Sequence, residues 1–165
     1  MTDNPIEALR TGWGTALPDL DVAPMLTMAR VNRLAILLRH QLSAELAKHD
    51  SSLADFDVLS ALRRQGPPYS MKPSQLAESL LLSPSGMTNR VDRLEEAGLL
   101  ERSLDPNNRR TLPVALTPSG VKKADQLVAL VVETERALLT RLSATNRRQL
   151  DQLLDTLLEG LSAER

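Results

Sequence analysis

The sequence contains no cysteine. That excludes disulfides, thiol nucleophiles, thiolate metal ligands and thiol-based oxidant sensing. Aromatic side chains are almost missing as well: Trp13, Phe56 and Tyr69 are the three in 165 residues. The core must therefore be aliphatic, and 33 leucines supply it. Strands favour β-branched and aromatic residues, so this composition points to helices rather than a β-sandwich. No apolar run reaches the roughly 18 residues that a membrane span needs, and no membrane partner is expected. The opening MTDNPIEAL has no basic stretch leading into an apolar one, which argues against a secretory signal and for a cytoplasmic location. An excess of one charge is missing too, since 20 Lys and Arg face 21 Asp and Glu. Total charge therefore gives no sign of a nucleic-acid partner.

The balance hides a division along the chain. Residues 1–57 carry 5 basic and 8 acidic side chains, whereas residues 58–110 carry 8 and 6. A nucleic-acid surface, if present, belongs in that middle segment.

Hydrophobic spacing organises the rest. Ile6, Leu9, Trp13, Ala16 and Leu17 follow a helical period that Pro18 ends. From Pro24 to about Lys48, Leu26, Leu34, Leu37, Leu38, Leu42 and Leu46 form a broad stripe, widened by Val31 and Ile36. Such a helix is roughly 37 Å long. One small core cannot cover it, so a second subunit is expected. SSLADFDVLSALRRQ reads as the next helix, with Phe56, Leu59 and Leu62 on one face, and Gly66-Pro67-Pro68 stops it. A short helix follows from Pro73, with Leu76, Ala77 and Leu80 inward. Ser83-Pro84 opens another, burying Met87, Val91 and Leu94, with Gly98 as its C-cap residue.

After Gly98 the period becomes two. LLERSL and TLPVALT read as short strands joined by a DPNNRR turn, with Leu112, Val114 and Leu116 on one side. Pro113 argues for an edge position of the second strand. Thr117-Pro118 restarts helix as far as Leu142, and Thr145-Asn146 caps a last helix. In that helix Leu150, Leu153, Leu154, Leu157, Leu158 and Leu161 recur at spacings of 3 and 4.

The expected fold is mainly α with a small β-hairpin wing: a winged helix-turn-helix flanked by long dimerisation helices. Residues 1–23 form an N-terminal extension with the Trp-bearing helix, and 24–53 a dimerisation helix. Residues 54–118 form the winged helix-turn-helix DNA-binding domain, and 119–165 the C-terminal dimerisation helices.

In a helix-turn-helix the second helix enters the major groove. Here it would offer Ser83, Ser85, Thr88, Asn89 and Arg93. Asn and Arg can bond bases bidentately, and Ser and Thr can reach bases or phosphates. The hairpin tip adds Asn107, Asn108, Arg109 and Arg110, suited to a minor groove or to phosphates. The same residues also fit an ordinary solvated surface. The weak basic excess leaves room for a protein of another class, a helical interaction adaptor whose winged helix does not read DNA.

The segment SPSGMTNRVDRLEEAGLLERSLDPNNRRTLPVALTPSG resembles the winged-helix core of the MarR family. The shared pattern is a Ser- and Thr-containing recognition helix, R-L-E-x-x-G-L-L, a D-P-x-x-R-R wing and L-T-x-x-G. The resemblance implies a homodimeric bacterial transcriptional regulator, usually a repressor that small ligands release from a pseudo-palindromic stretch of double-stranded DNA. It also implies that Arg110 enters the minor groove. The family usually has an acidic residue two before that arginine, and here Asn108 stands in its place. Asn can accept a hydrogen bond from the guanidinium but adds no charge.

A narrower resemblance links FDVLSALRRQGPPY, the GMTNR segment and the Trp-bearing helix to the urate-responsive, PecS-like branch of that family. It implies an effector pocket built from Trp13, Asp57, Arg64 and Arg90, with urate, another purine or an organic anion as ligand. The chemistry fits: a flat Trp face suits a heteroaromatic ring, and a guanidinium suits an anion. Each residue has a plainer use as well. Trp13 can anchor its helix, Asp57 can sit in a first turn and Arg64 in a last turn, where their charges favour any helix. Arg90 can meet a phosphate. No cofactor and no catalytic role is expected. G-x-S-x-G, P-loop and G-x-G-x-x-G motifs are absent. His40 and His49 lack a companion at metal-ligand spacing.

Overall fold

A computed structural model describes residues 4–102 and 112–162. Its contacts divide the chain into two compact units that meet between Leu53 and Ala54.

The first unit is helical. α1 (Pro5–Ala16) starts where the Asn4 side chain accepts the Ile6 N–H at 3.1 Å, with Pro5 preset for the first turn. It packs on α2 (Ala23–Ala47), and Ile6 is buried. The Asp21 carboxylate accepts the Ala23 N–H at 2.9 Å where α2 begins. Leu26, Leu42 and Leu46 of α2 are buried, whereas Val31, Leu34, Ile36 and Leu37 in its middle are exposed. The expected stripe is therefore covered only at its two ends within one chain.

The second unit holds the winged helix. α3 (Leu53–Arg63) buries Val58, Leu59, Ala61 and Leu62, with Phe56 half-buried. β1 (Ser70–Met71) leads to α4 (Pro73–Ser79), which buries Leu76 and Ala77. α5 (Pro84–Glu96) buries Met87, Val91 and Leu94, as the spacing required. α4 and α5 pack together as the helix-turn-helix. α5 ends at Gly98, whose φ of 69° places it in the left-handed region, and the Leu99 N–H donates back to the Leu94 carbonyl at 2.9 Å.

β2 (Leu100–Arg102) and β3 (Val114–Leu116) then pair antiparallel, in register Leu100↔Leu116 and Arg102↔Val114. The sheet has three strands in the order β1-β3-β2, where the sequence suggested a two-stranded hairpin. β3 is thus the central strand, which corrects the edge position inferred from Pro113. The proline precedes the strand's first residue, so its missing N–H lies outside the ladder. Central placement also explains why Val114, Ala115 and Leu116 are all buried, whereas Leu112, expected on the same face as Val114, precedes the strand and is exposed.

α6 (Pro118–Leu139) is tied to the wing base. The Thr117 hydroxyl accepts the Gly120 N–H at 3.0 Å and donates to the Gly98 carbonyl at 2.7 Å, while the Thr117 N–H donates to the Leu99 carbonyl at 3.1 Å. A Cβ on Gly120 would stand 2.0 Å from that same Leu99 oxygen. The L-T-x-x-G pattern is thereby explained: threonine caps the helix, and only glycine lets the helix lie on the backbone just before β2. α7 (Ala144–Ser162) begins one residue before the Thr145-Asn146 cap expected from sequence, because the capping hydroxyl is that of Ser143, which accepts the Asn146 N–H at 3.1 Å.

Candidate nucleic-acid interface

The site is built on α5. Ser83 caps it, with its hydroxyl accepting the Gly86 N–H at 3.2 Å. The Ser85 hydroxyl lies 3.3 Å from that of Ser83, so two hydroxyls stand together at the positive end of the helix dipole. Ser85, Thr88 and Asn89 are exposed. At 100° per residue Asn89 lies about 200° round from Met87, opposite the buried row. One side of α5 therefore serves the core, and the other presents hydroxyl and amide groups able to bond bases or phosphates.

The flanks of α5 are held by opposite charges. On one, Arg93 pairs with Asp55 of α3, whose side chain is only 13% exposed. On the other, Arg102 of β2 pairs with both Asp92 and Glu95. Its guanidinium is pushed above its already high ordinary pKa, chiefly by the hydrogen bond to Asp92, so it stays charged at any physiological pH. Neither Asp55 nor Arg102 was singled out from sequence. Asp92 and Glu95 stand three apart on one helix flank and Arg102 follows the Gly98 turn, so that pairing had a readable signal. The Asp55–Arg93 contact spans 38 residues and had none.

The remaining expected residues are more scattered. Arg93 is on the helix as expected, but its guanidinium is engaged by Asp55. Asn107, Asn108, Arg109 and Arg110 lie outside the described residues. Asp57 is half-buried in the second turn of α3; the first-turn position expected for it belongs to Asp55. Arg64 stands one residue beyond α3 rather than in its last turn, where Arg63 sits instead. Arg63 pairs with Asp125 of α6 at 2.7 Å and lies 5.0 Å from the Tyr69 ring centre, whereas the Arg64 side chain is exposed. Asp125 raises the Arg63 pKa above its ordinary value. Arg90 is half-buried on α5. Trp13, in the other unit, lines an open apolar depression of about 720 Å³ with Pro5, Ala8, Leu9, Gly12 and Ala16, all on α1. Among the described residues no helix is long and apolar enough to cross a membrane.

Comparison with known proteins gives this geometry a context. The MarR family profile matches residues 52–112, from the start of α3 to the end of the wing connection. The HTH-type transcriptional regulator PecS of Dickeya dadantii is 37% identical over 142 residues, covering 86% of each chain. The crystal structure of the S. aureus MepR–DNA complex superposes with a TM-score of 0.71 at 20% identity, over 81% of this chain and 96% of MepR. At that identity the likeness concerns the fold alone. The Mycobacterium tuberculosis MarR family protein Rv2887, solved with p-aminosalicylic acid, superposes with a TM-score of 0.63 at 28% identity, over 78% of this chain and 95% of its own.

Proposed function

This chain belongs to the MarR family, and on that premise we propose that it is a homodimeric, sequence-specific DNA-binding repressor released by a small anionic or aromatic ligand. One observation carries the DNA reading. The capped N-terminal half of α5 presents Ser85, Thr88 and Asn89 outward while Met87, Val91 and Leu94 fix the helix from behind. Two such helices in a dimer would stand about one DNA turn apart and read a pseudo-palindrome. Arg110, and Arg109 with Asn108, would add contacts from the wing. A gel-shift titration on the gene's own upstream region tests this. Preference for that duplex over unrelated DNA at moderate salt is expected, and equal affinity for both would sink the reading.

Dimerisation is supported by the apolar surface one chain leaves uncovered. Leu34, Ile36 and Leu37 of α2 and Leu153, Leu157 and Leu158 of α7 are all exposed. Stripes of this size on long helices mark an interface.

The ligand reading rests on Trp13, Asp57, Arg64 and Arg90 and on the relation to PecS. The solved complex of Rv2887 with an aromatic acid supports an effector of that chemical class. Arg90 shares α5 with the base-reading residues, so a ligand that engaged it would couple binding to DNA affinity. Urate is the first candidate. Titrated urate should quench the fluorescence of Trp13, the single tryptophan, and weaken the DNA complex. Indifference of both at millimolar urate would remove urate from the proposal.

A further inference from the structure

The recognition helix is acidic where a DNA-reading helix is expected to be basic. α5 carries Arg90 and Arg93 against Asp92, Glu95 and Glu96, and all three carboxylates fall in its last five residues. That placement is doubly unfavourable. Carboxylates oppose the negative end of the helix dipole, and within a Debye length of about 10 Å they repel DNA phosphates. Arg102 answers two of the three. From β2, the strand that leads into the wing connection, its guanidinium bonds both Asp92 and Glu95, whose side chains remain 47% and 35% exposed.

The strand has anchors besides that guanidinium. Leu100 is buried, Arg102 is paired with Val114 in the ladder, and the Arg102 backbone N–H donates to Glu95 Oε1 at 3.3 Å. What the side chain adds to them is positive charge, delivered through its two ion pairs. We propose that Arg102 is an electrostatic mask: it neutralises Asp92 and Glu95 so that the C-terminal half of α5 can lie beside a phosphate backbone. This rests on the DNA-binding reading above and adds a positioning residue that makes no DNA contact itself. Arg102 thus sets how strongly the helix is repelled, whatever sequence it reads.

The test compares three proteins on two duplexes, the gene's upstream region and an unrelated sequence, by fluorescence anisotropy across a salt series. Arg102→Ala should weaken binding to both duplexes by about 10-fold at low salt, because two like charges now face the backbone, with the loss shrinking as salt rises. The triple variant Arg102→Ala, Asp92→Asn, Glu95→Gln lacks the clamp but also the charges, and its amide oxygens still accept hydrogen bonds. It should bind within about 3-fold of wild type or tighter. The double variant Asp92→Asn, Glu95→Gln should bind more tightly than wild type, since the released guanidinium is free to meet phosphate. A triple variant as weak as Arg102→Ala would overturn the mask in favour of mechanical support, and so would an Arg102→Ala loss indifferent to salt. Unchanged affinity of Arg102→Ala would overturn the mask alone. Failure of the wild type to bind either duplex would instead remove the DNA-binding reading, and the mask with it.

Discussion

Leucines of this chain meet two fates. In the winged helix, Leu59, Leu62, Leu76, Leu94 and Leu100 are each no more than 3% exposed. On α7, Leu153, Leu158 and Leu161 are each at least 60% exposed, and the middle of α2 is similarly bare. The residue type is the same, and the difference lies in what the topology brings to it. Short elements crossing a three-stranded sheet surround their own apolar side chains. A long straight helix has a surface that grows with its length, and a small unit cannot wrap it. The contrast teaches that the winged helix closes its own core within one chain, whereas the long helices leave apolar side chains exposed, the surface on which the proposed dimer rests.

The largest effect should come from attacking the closed module. Gly120→Ala would drive a Cβ against the Leu99 carbonyl, and a destabilisation of about 3 kcal/mol is expected from chemical denaturation. A stable Gly120→Ala protein would show that α6 can lift off the wing base. Next is the open surface. Leu153→Glu with Leu157→Glu should shift the protein to monomer in analytical ultracentrifugation while the helix-turn-helix keeps its helical signal by circular dichroism. A dimer that survives both charges would place the interface elsewhere.

Smaller effects sharpen the same contrast. Thr117→Val removes the α6 cap and the bond to Gly98, and should cost about 1–2 kcal/mol without altering the oligomeric state. Leu81 is the one strongly exposed leucine of the helix-turn-helix, at 86%, and its φ of 53° is costly for a side chain. Leu81→Gly should therefore be neutral or stabilising by up to about 1 kcal/mol in thermal melts. A clear loss of stability there would mean that this leucine has a covering partner, as those of α7 are proposed to have.

Much of this was readable from spacing. Met87, Val91 and Leu94 declared the buried side of α5, Gly98 its end, and the alternation after it the wing strands. β1 escaped because two residues cannot show a period, and Pro113 misled because a proline beside a strand looks like one within it. The outward residues Ser85, Thr88 and Asn89 were legible because a helix whose buried face is known has a known opposite face. Asp55 was not, since its partner Arg93 is brought near only when α3 packs beside α5.

The sequence by itself determined the order of the helices and of β2 and β3, the aliphatic core, the Gly98 stop and the face of α5 turned outward. Each follows from local periodicity and backbone sterics. Only the tertiary structure decided which charges meet. It closed Arg93 onto Asp55, set Arg102 between Asp92 and Glu95, seated Gly120 on the Leu99 carbonyl and made β3 central. The Arg93–Asp55 pair and the central place of β3 depend on segments remote in the chain, which no local pattern encodes, whereas Arg102 and Gly120 left a local trace whose partner only the packing revealed.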